Sequence, residues 1–179
     1  MNRWNVVNAV LFQVAWFACV LGGARGNALW GLAAVSLLLT HSALLGNIRR
    51  DLLLAGGAAA VGFVVDTVWI RSGVLNYGGA AVAPVWIVLL WVAVGLTLNH
   101  CLSMFKARPW LGGLLAGLGA PLSYLGGERL GAVSIDEPMQ LLWISPVWLL
   151  LFAVAFTLAR HSALSYPPLP RSPRRDTGL

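Results

Sequence analysis

An all-α bundle of six membrane-spanning helices is the fold this sequence predicts, and three observations predict it. Of 179 residues, 59% are hydrophobic and only 10% are charged, too few charges to coat a water-soluble domain of this size. The apolar residues fall into six stretches, each close to the roughly 20 residues needed to cross the hydrocarbon core as a helix. The basic residues collect at the ends of those stretches, mostly on one side. Nine tryptophans suit the same solvent, because indole rings anchor at the headgroup level.

The predicted spans are residues 5–21, 28–46, 52–70, 85–105, 110–126 and 139–159. The first runs from Asn5 to the small-residue segment Gly22-Gly23-Ala24-Arg25-Gly26-Asn27. It has the outline of a secretory signal, but Asn5, Asn8 and Gln13 interrupt the apolar run and bulky Trp16 and Phe17 sit where cleavage favours small residues. An uncleaved first span is expected. The second span closes before Asn47 to Asp51, the third before the loop Arg71 to Pro84, the fourth before Lys106 to Pro109, and the fifth before Glu128 to Pro138.

Charge sets the direction. With the N-terminus inside, the inner side holds Arg3, Arg49, Arg50, Lys106, Arg108, Arg160, Arg171, Arg174 and Arg175, and the outer side holds Arg25, Arg71 and Arg129. The positive-inside rule therefore predicts both termini in the cytoplasm and a multi-pass protein of the bacterial inner membrane. Residues 1–160 form the transmembrane domain, and residues 161–179 a basic, proline-rich cytoplasmic tail that cannot continue a helix. The net charge of +6 is spread over helix ends and this tail, so no nucleic-acid partner is expected. Cys19 and Cys101 fall near opposite faces of the bilayer, too far apart for a disulfide.

His41, His100 and His161 recur at intervals of 59 and 61 residues, each near the inner end of an even-numbered span. A period near 60 would make the chain three helical hairpins. Three imidazoles at one depth are weak metal-ligand candidates; histidines bonded separately to water and headgroups are the plainer reading. No cofactor is expected.

Polar residues within the membrane cost free energy, so they carry the functional expectations. Asp66 lies four residues before the end of the third span, locked to Arg71 or to the backbone so as to fix the following loop, or handling protons or substrate. Glu128 ends the fifth span, either as an acid/base partner of Asp66 or as a solvated helix end. Asn99 and His100 supply polar groups to the fourth span, either as interhelical hydrogen bonds or as an inner pocket. The fifth span carries Gly112, Gly113, Gly117, Gly119 and Pro121. Its Gly113-xxx-Gly117 pair permits close helix approach, including oligomerisation. Pro121 predicts a kink or break just before Ser123 and Tyr124, and with Tyr77 in the glycine-rich third loop it places a polar cavity near the outer leaflet.

Five segments together resemble a known family. They are Asn8-x3-Phe12-x3-Trp16-Phe17, Asp66 followed by Gly73-Val-Leu, Pro84-x-Trp86-x4-Trp91, Leu98-Asn-His100-x-Leu102, and Gly119-Ala-Pro121-Leu-Ser-Tyr124-x-Gly-Gly. The chain resembles, up to about residue 155, the bacterial membrane proteins catalogued as domain of unknown function 2878, with Ala120 where that family has glycine. The resemblance implies a lipid context, since such proteins are described beside genes for fatty-acyl modification and flavin-linked oxidation.

The expected function is binding or modifying membrane lipid through the outer-leaflet cavity. Asp66, Arg71, Tyr77, Asn99, His100, Ser123, Tyr124 and Glu128 are the candidate ligand-binding residues, and Asp66, Glu128 and Tyr124 the candidates if there is catalysis. A proton- or cation-coupled transporter and a scaffold for peripheral lipid-modifying enzymes at the cytoplasmic face are the alternatives. No phosphate loop, nucleophile elbow or cysteine metal site is present.

Overall fold

Consecutive helices pack against each other as three hairpins in the computed structural model, which describes residues 3–45 and 48–161. The helices are α1 (Arg3–Ala24), α2 (Leu29–Leu44), α3 (Ile48–Arg71), α4 (Val85–Gly95), α5 (Pro109–Arg129) and α6 (Leu141–Ala159), with 3-10 turns at Ser103–Ala107 and Pro138–Gln140. No strand occurs among the described residues. Three stretches, Arg3–Ala24, Ile48–Arg71 and Pro138–Ala159, are long and apolar enough to cross a membrane; α2 and α4 are apolar but shorter. The predicted tail lies, beyond His161, outside the described residues.

Burial runs opposite to that of a protein dissolved in water. Leu44, Leu53, Leu122 and Trp143 are exposed, whereas Asn8, Asp51, Asp66, Thr97 and His100 are buried. Hydrocarbon around the bundle accounts for both halves of this pattern, because it accepts leucine and rejects an unpaired polar group.

One end of the bundle is capped by two loops, residues 72–84 and 130–137. Asn76 and Ser134 exchange backbone hydrogen bonds of 3.0 and 2.7 Å across them. Val74, Leu75, Tyr77, Ala132, Val133 and Ile135 turn inward beneath this pairing. The loop reverses at Gly78 and Gly79, with φ of +64° and +81°, a conformation that side chains with a Cβ resist. The opposite end carries Arg3, Arg49, Arg50, Lys106 and Arg108 and is called the basic end below.

Two expectations fail, for physical reasons that are visible in the packing. The fourth span, expected as helix over 85–105, is helical only to Gly95; residues 96–102 are turns that lead into the 3-10 segment. Gly95 lies against the backbone of α3, where a Cβ would come within 2.5 Å of the Ala55 Cα. Beyond it the Asn8 side chain replaces helical hydrogen bonds: its Nδ2 donates to the Leu96 carbonyl and its Oδ1 accepts from the Cys101 amide, both at 3.3 Å. Irregular backbone of this kind is tolerated inside protein because its polar groups find partners there.

Of the kink or break expected at Pro121, the break is absent: α5 is one helix from Pro109 to Arg129. Close packing on α6 holds it: a Cβ on Gly113 would lie 2.4 Å from the Leu149 carbonyl oxygen, and one on Gly117 would lie 2.7 Å from that of Ser145. The Gly113–Gly117 face that suggested oligomerisation is thus occupied by α6 of the same chain.

Candidate functional site

Asp66 is wholly buried on α3 near the loop-capped end. Tyr77 donates its hydroxyl to Oδ1 at 2.6 Å, Tyr124 donates to the same oxygen at 3.1 Å, and Trp91 Nε1 donates to Oδ2 at 2.7 Å. Three donors from the capping loop, α5 and α4 therefore converge on one carboxyl group and satisfy it without a cation. Burial, with Tyr124 and Asp66 adding to it, pushes the Tyr77 hydroxyl well above the usual phenol value, so it remains a donor. Trp91 reaches Asp66 because Gly62, one turn earlier on α3, leaves room for its ring.

Tyr124 also faces a cavity of about 340 Å³ between α1 and α4 on one side and α5 and α6 on the other. The cavity extends along α5 from Gly127 to Gly112, fifteen residues or roughly 22 Å of helix. Phe12, Trp16, Trp86, Phe105, Phe152 and Phe156 contribute most of its aromatic wall. Leu115, Gly119 and Ser123, exposed along one stripe of α5, and Phe12 and Trp16 of α1 form its lateral side. Trp16 Nε1 donates to Ser123 Oγ at 3.0 Å and bridges α1 to α5 at that side.

A second polar cluster forms at the basic end. Asp51, wholly buried in the first turn of α3, accepts from Asn99 Nδ2 at 2.8 Å and pairs with His100 Nε2 at 2.8 Å. Ser42 Oγ lies 3.5 Å from the same imidazole nitrogen. A serine–histidine–aspartate triad needs the acid and the hydroxyl on opposite ring nitrogens, so this arrangement is not one. His41 stacks edge-on to His100 with ring centroids 5.1 Å apart and bonds the Trp4 carbonyl through Nε2 at 3.1 Å. Lys106 Nζ donates to Asn99 Oδ1, and burial lowers its amine below the usual lysine range while Asp51 pulls the other way.

The predicted residues thus divide into two groups and several outliers. Asp66, Tyr77 and Tyr124 meet; Asn99 and His100 meet at the other end. Ser123 lines the cavity without touching Asp66. Arg71 is exposed and is not a partner of Asp66, which corrects the expected lock: five residues along a helix turns the side chain to another face. Glu128 does not join Asp66 either; its Oε1 accepts from the Ile135 amide at 3.0 Å and fixes the second capping loop. His161 stands exposed after α6, apart from His41 and His100, and no group of three metal-ligand side chains occurs among the described residues. Asp51 and Trp91 were missed. Asp51 reads as part of a cytoplasmic Arg-Arg-Asp turn, and its signal is that it is the last acid before an apolar run. Trp91 is indistinguishable in sequence from an interfacial anchor.

These features define a helical, membrane-type bundle with one buried carboxyl cluster at each end and an apolar cavity between helix pairs. A family model described as protein of unknown function, DUF2878, matches residues 5–164, and the chain belongs to that family. Comparison with curated proteins and with solved structures gave no match.

Proposed function

We propose that this chain is a six-span protein of the bacterial inner membrane, with both termini cytoplasmic, that binds membrane lipid in the cavity between α1/α4 and α5/α6. The single observation that carries this reading is the cavity itself. It is elongated, walled almost wholly by apolar and aromatic side chains, and bounded laterally by residues of α1 and α5 that are in part exposed. Ligand sites commonly combine such a lining with a few placed polar groups. Tyr124, held by Asp66, and Ser123, held by Trp16, are those groups.

The orientation rests on the excess of Lys and Arg at the basic end, which becomes the cytoplasmic side; the Asp66 cluster and the paired loops then face outward. The fourth crossing is completed by the turns after Gly95, supported by the burial of residues 96–100. The lipid context implied by the family resemblance agrees with this assignment.

The test is lipid retention by purified protein. Wild type in mild detergent is expected to carry lipid detectable by native mass spectrometry. Gly119→Leu, at a cavity position where a Cβ meets nothing within 4 Å, is expected to reduce it at least severalfold while the protein stays folded. Retention unaffected by Gly119→Leu would refute the assignment of this cavity. Proton-dependent flux in proteoliposomes would favour the transporter reading instead, and loss of partner enzymes from membranes on deleting residues 165–179 would favour the scaffold.

A further inference from the structure

A second apolar cavity, of about 260 Å³, separates α3 from α6 over a floor formed by Trp91, Val94, Leu98 and Phe152. Its α3 wall is Leu53, Leu54, Gly57, Ala58 and Val61, and Val154, Ala155 and Leu158 stand opposite on α6. Leu53, Gly57, Val61, Val154 and Leu158 are exposed, so the cavity opens sideways onto whatever surrounds the bundle. The chain's own side chains leave it unfilled: a Cβ on Gly57 would meet nothing within 4 Å. Apolar walls that face a void forfeit their dispersion contacts, so in a bilayer hydrocarbon fills such a gap.

Depth and charge identify that hydrocarbon. From Leu53 to Val61 α3 advances eight residues, roughly 12 Å, against roughly 15 Å for the hydrocarbon of one leaflet. The cavity begins at the basic end and stops within the same leaflet, which leaves room for one acyl chain entering from that side. Arg49 and Arg50 stand one helical turn before Leu53 and Leu54, on the face of α3 that lines the cavity. Arg160 and His161 follow Leu158 at the end of the opposite wall, and both are exposed. Asp51, the acid at this end among the described residues, is wholly buried and bonded to Asn99 and His100. The exposed charge beside the cavity is therefore positive, at the level where lipid phosphates lie.

We propose that this second cavity binds an anionic phospholipid of the leaflet at the basic end, with one acyl chain along Leu53, Gly57 and Val61 and the phosphate on Arg49. A zwitterionic lipid brings the same chain and phosphate but adds a cation, so net charge is what the site selects. The site is separate from the cavity between α1/α4 and α5/α6 and shares with that reading only the placement of the bundle in a bilayer.

Native mass spectrometry of the full-length protein in mild detergent, titrated with dioleoyl phosphatidylglycerol or dioleoyl phosphatidylcholine, reads the affinity for each. Wild type is expected to bind phosphatidylglycerol about fivefold or more tightly, the contribution of one surface cation. Gly57→Leu, whose Cβ has open space, is expected to remove this tight site, whereas Gly119→Leu, in the first cavity, leaves it. Arg49→Gln is expected to lower the affinity for phosphatidylglycerol about fivefold and to leave that for phosphatidylcholine unaltered. Arg49→Lys, which keeps the charge, should retain the preference. Equal affinities in wild type, or full phosphatidylglycerol affinity in Arg49→Gln, overturn the proposal. So does a tight site lost on Gly119→Leu but not on Gly57→Leu, an outcome that leaves the first cavity standing as a lipid site. Arg49 is exposed and outside the cavity lining, so its variants decide the charge selection even if Gly57→Leu unfolds.

Discussion

The Trp91 indole lies over the bare backbone of Gly62, so that a Cβ there would come within 2.0 Å of the ring, and from this seat its Nε1 reaches Asp66 Oδ2 at 2.7 Å. The absence of one side chain on α3 thus positions the donor for a carboxyl group one turn later on the same helix. Gly62→Ala is expected to destabilise the protein by about 1–3 kcal/mol through overpacking. Trp91→Phe removes the donor and some of the crowding together. The two substitutions combined should therefore cost less than the sum of their separate effects, as expected for residues in contact. Thermal or denaturant unfolding in detergent measures the cycle; strict additivity would show that the ring does not depend on the glycine.

Tyr77 makes the stability of the loop-capped end pH-dependent in the alkaline range. Its hydroxyl is held protonated in the folded state by burial, whereas in the unfolded chain it ionises near pH 10. The sign follows from linkage: above about pH 10 the folded state binds the extra proton, so the contribution is complete below that pH and is lost as pH rises. Tyr77→Phe is expected to flatten the alkaline decline by up to about 1.4 kcal/mol per pH unit, one proton's share. An unchanged slope would mean that Tyr77 reaches solvent or ionises in place.

How much of this was legible in the sequence depends on how local each cause is. Helix positions followed from apolar runs bounded by glycine, proline and charge, and five of the six predicted spans lie close to observed helices. The end of α4 did not, because Gly95 stops the helix through contact with Ala55, forty residues away, and Asn8 from α1 supplies the replacement hydrogen bonds. Asp66 was visible as an acid in an apolar run, but its partners were not. Arg71 is near in sequence and points elsewhere; Tyr77, Trp91 and Tyr124 converge only once the loop and two helices are placed. Glu128 shows the converse, an acid at the expected end that is used by a backbone amide of its own loop.

Asn8 holds the irregular backbone after Gly95, and its removal should be felt there. Asn8→Ala leaves the Leu96 carbonyl and the Cys101 amide without that partner, and is expected to cost about 1–3 kcal/mol. Amide hydrogen exchange over residues 96–102 should accelerate more than exchange in α6. Asn5→Ala, three residues away and only half-buried, is the control and should change neither quantity appreciably. Equal effects from both asparagines would remove Asn8 from this role.

The hydrogen bond between Trp16 and Ser123 joins α1 to α5 across the lateral side of the cavity, and it is exposed. A neutral hydrogen bond in such a position contributes about 0.5–1.5 kcal/mol, too little to hold the fold but enough to bias how often α1 and α5 separate. Ser123→Ala is therefore expected to leave the unfolding midpoint nearly unchanged and to raise the exchange rate of a bound lipid about two- to tenfold. Ser123→Thr, which keeps the acceptor, should restore slow exchange. Stopped-flow displacement of a fluorescent lipid from detergent-solubilised protein reads both rates. If Ser123→Ala slows exchange or leaves it unaltered, lipid enters by another route, and the second apolar cavity of about 260 Å³, between α3, α4 and α6, becomes the next place to measure it.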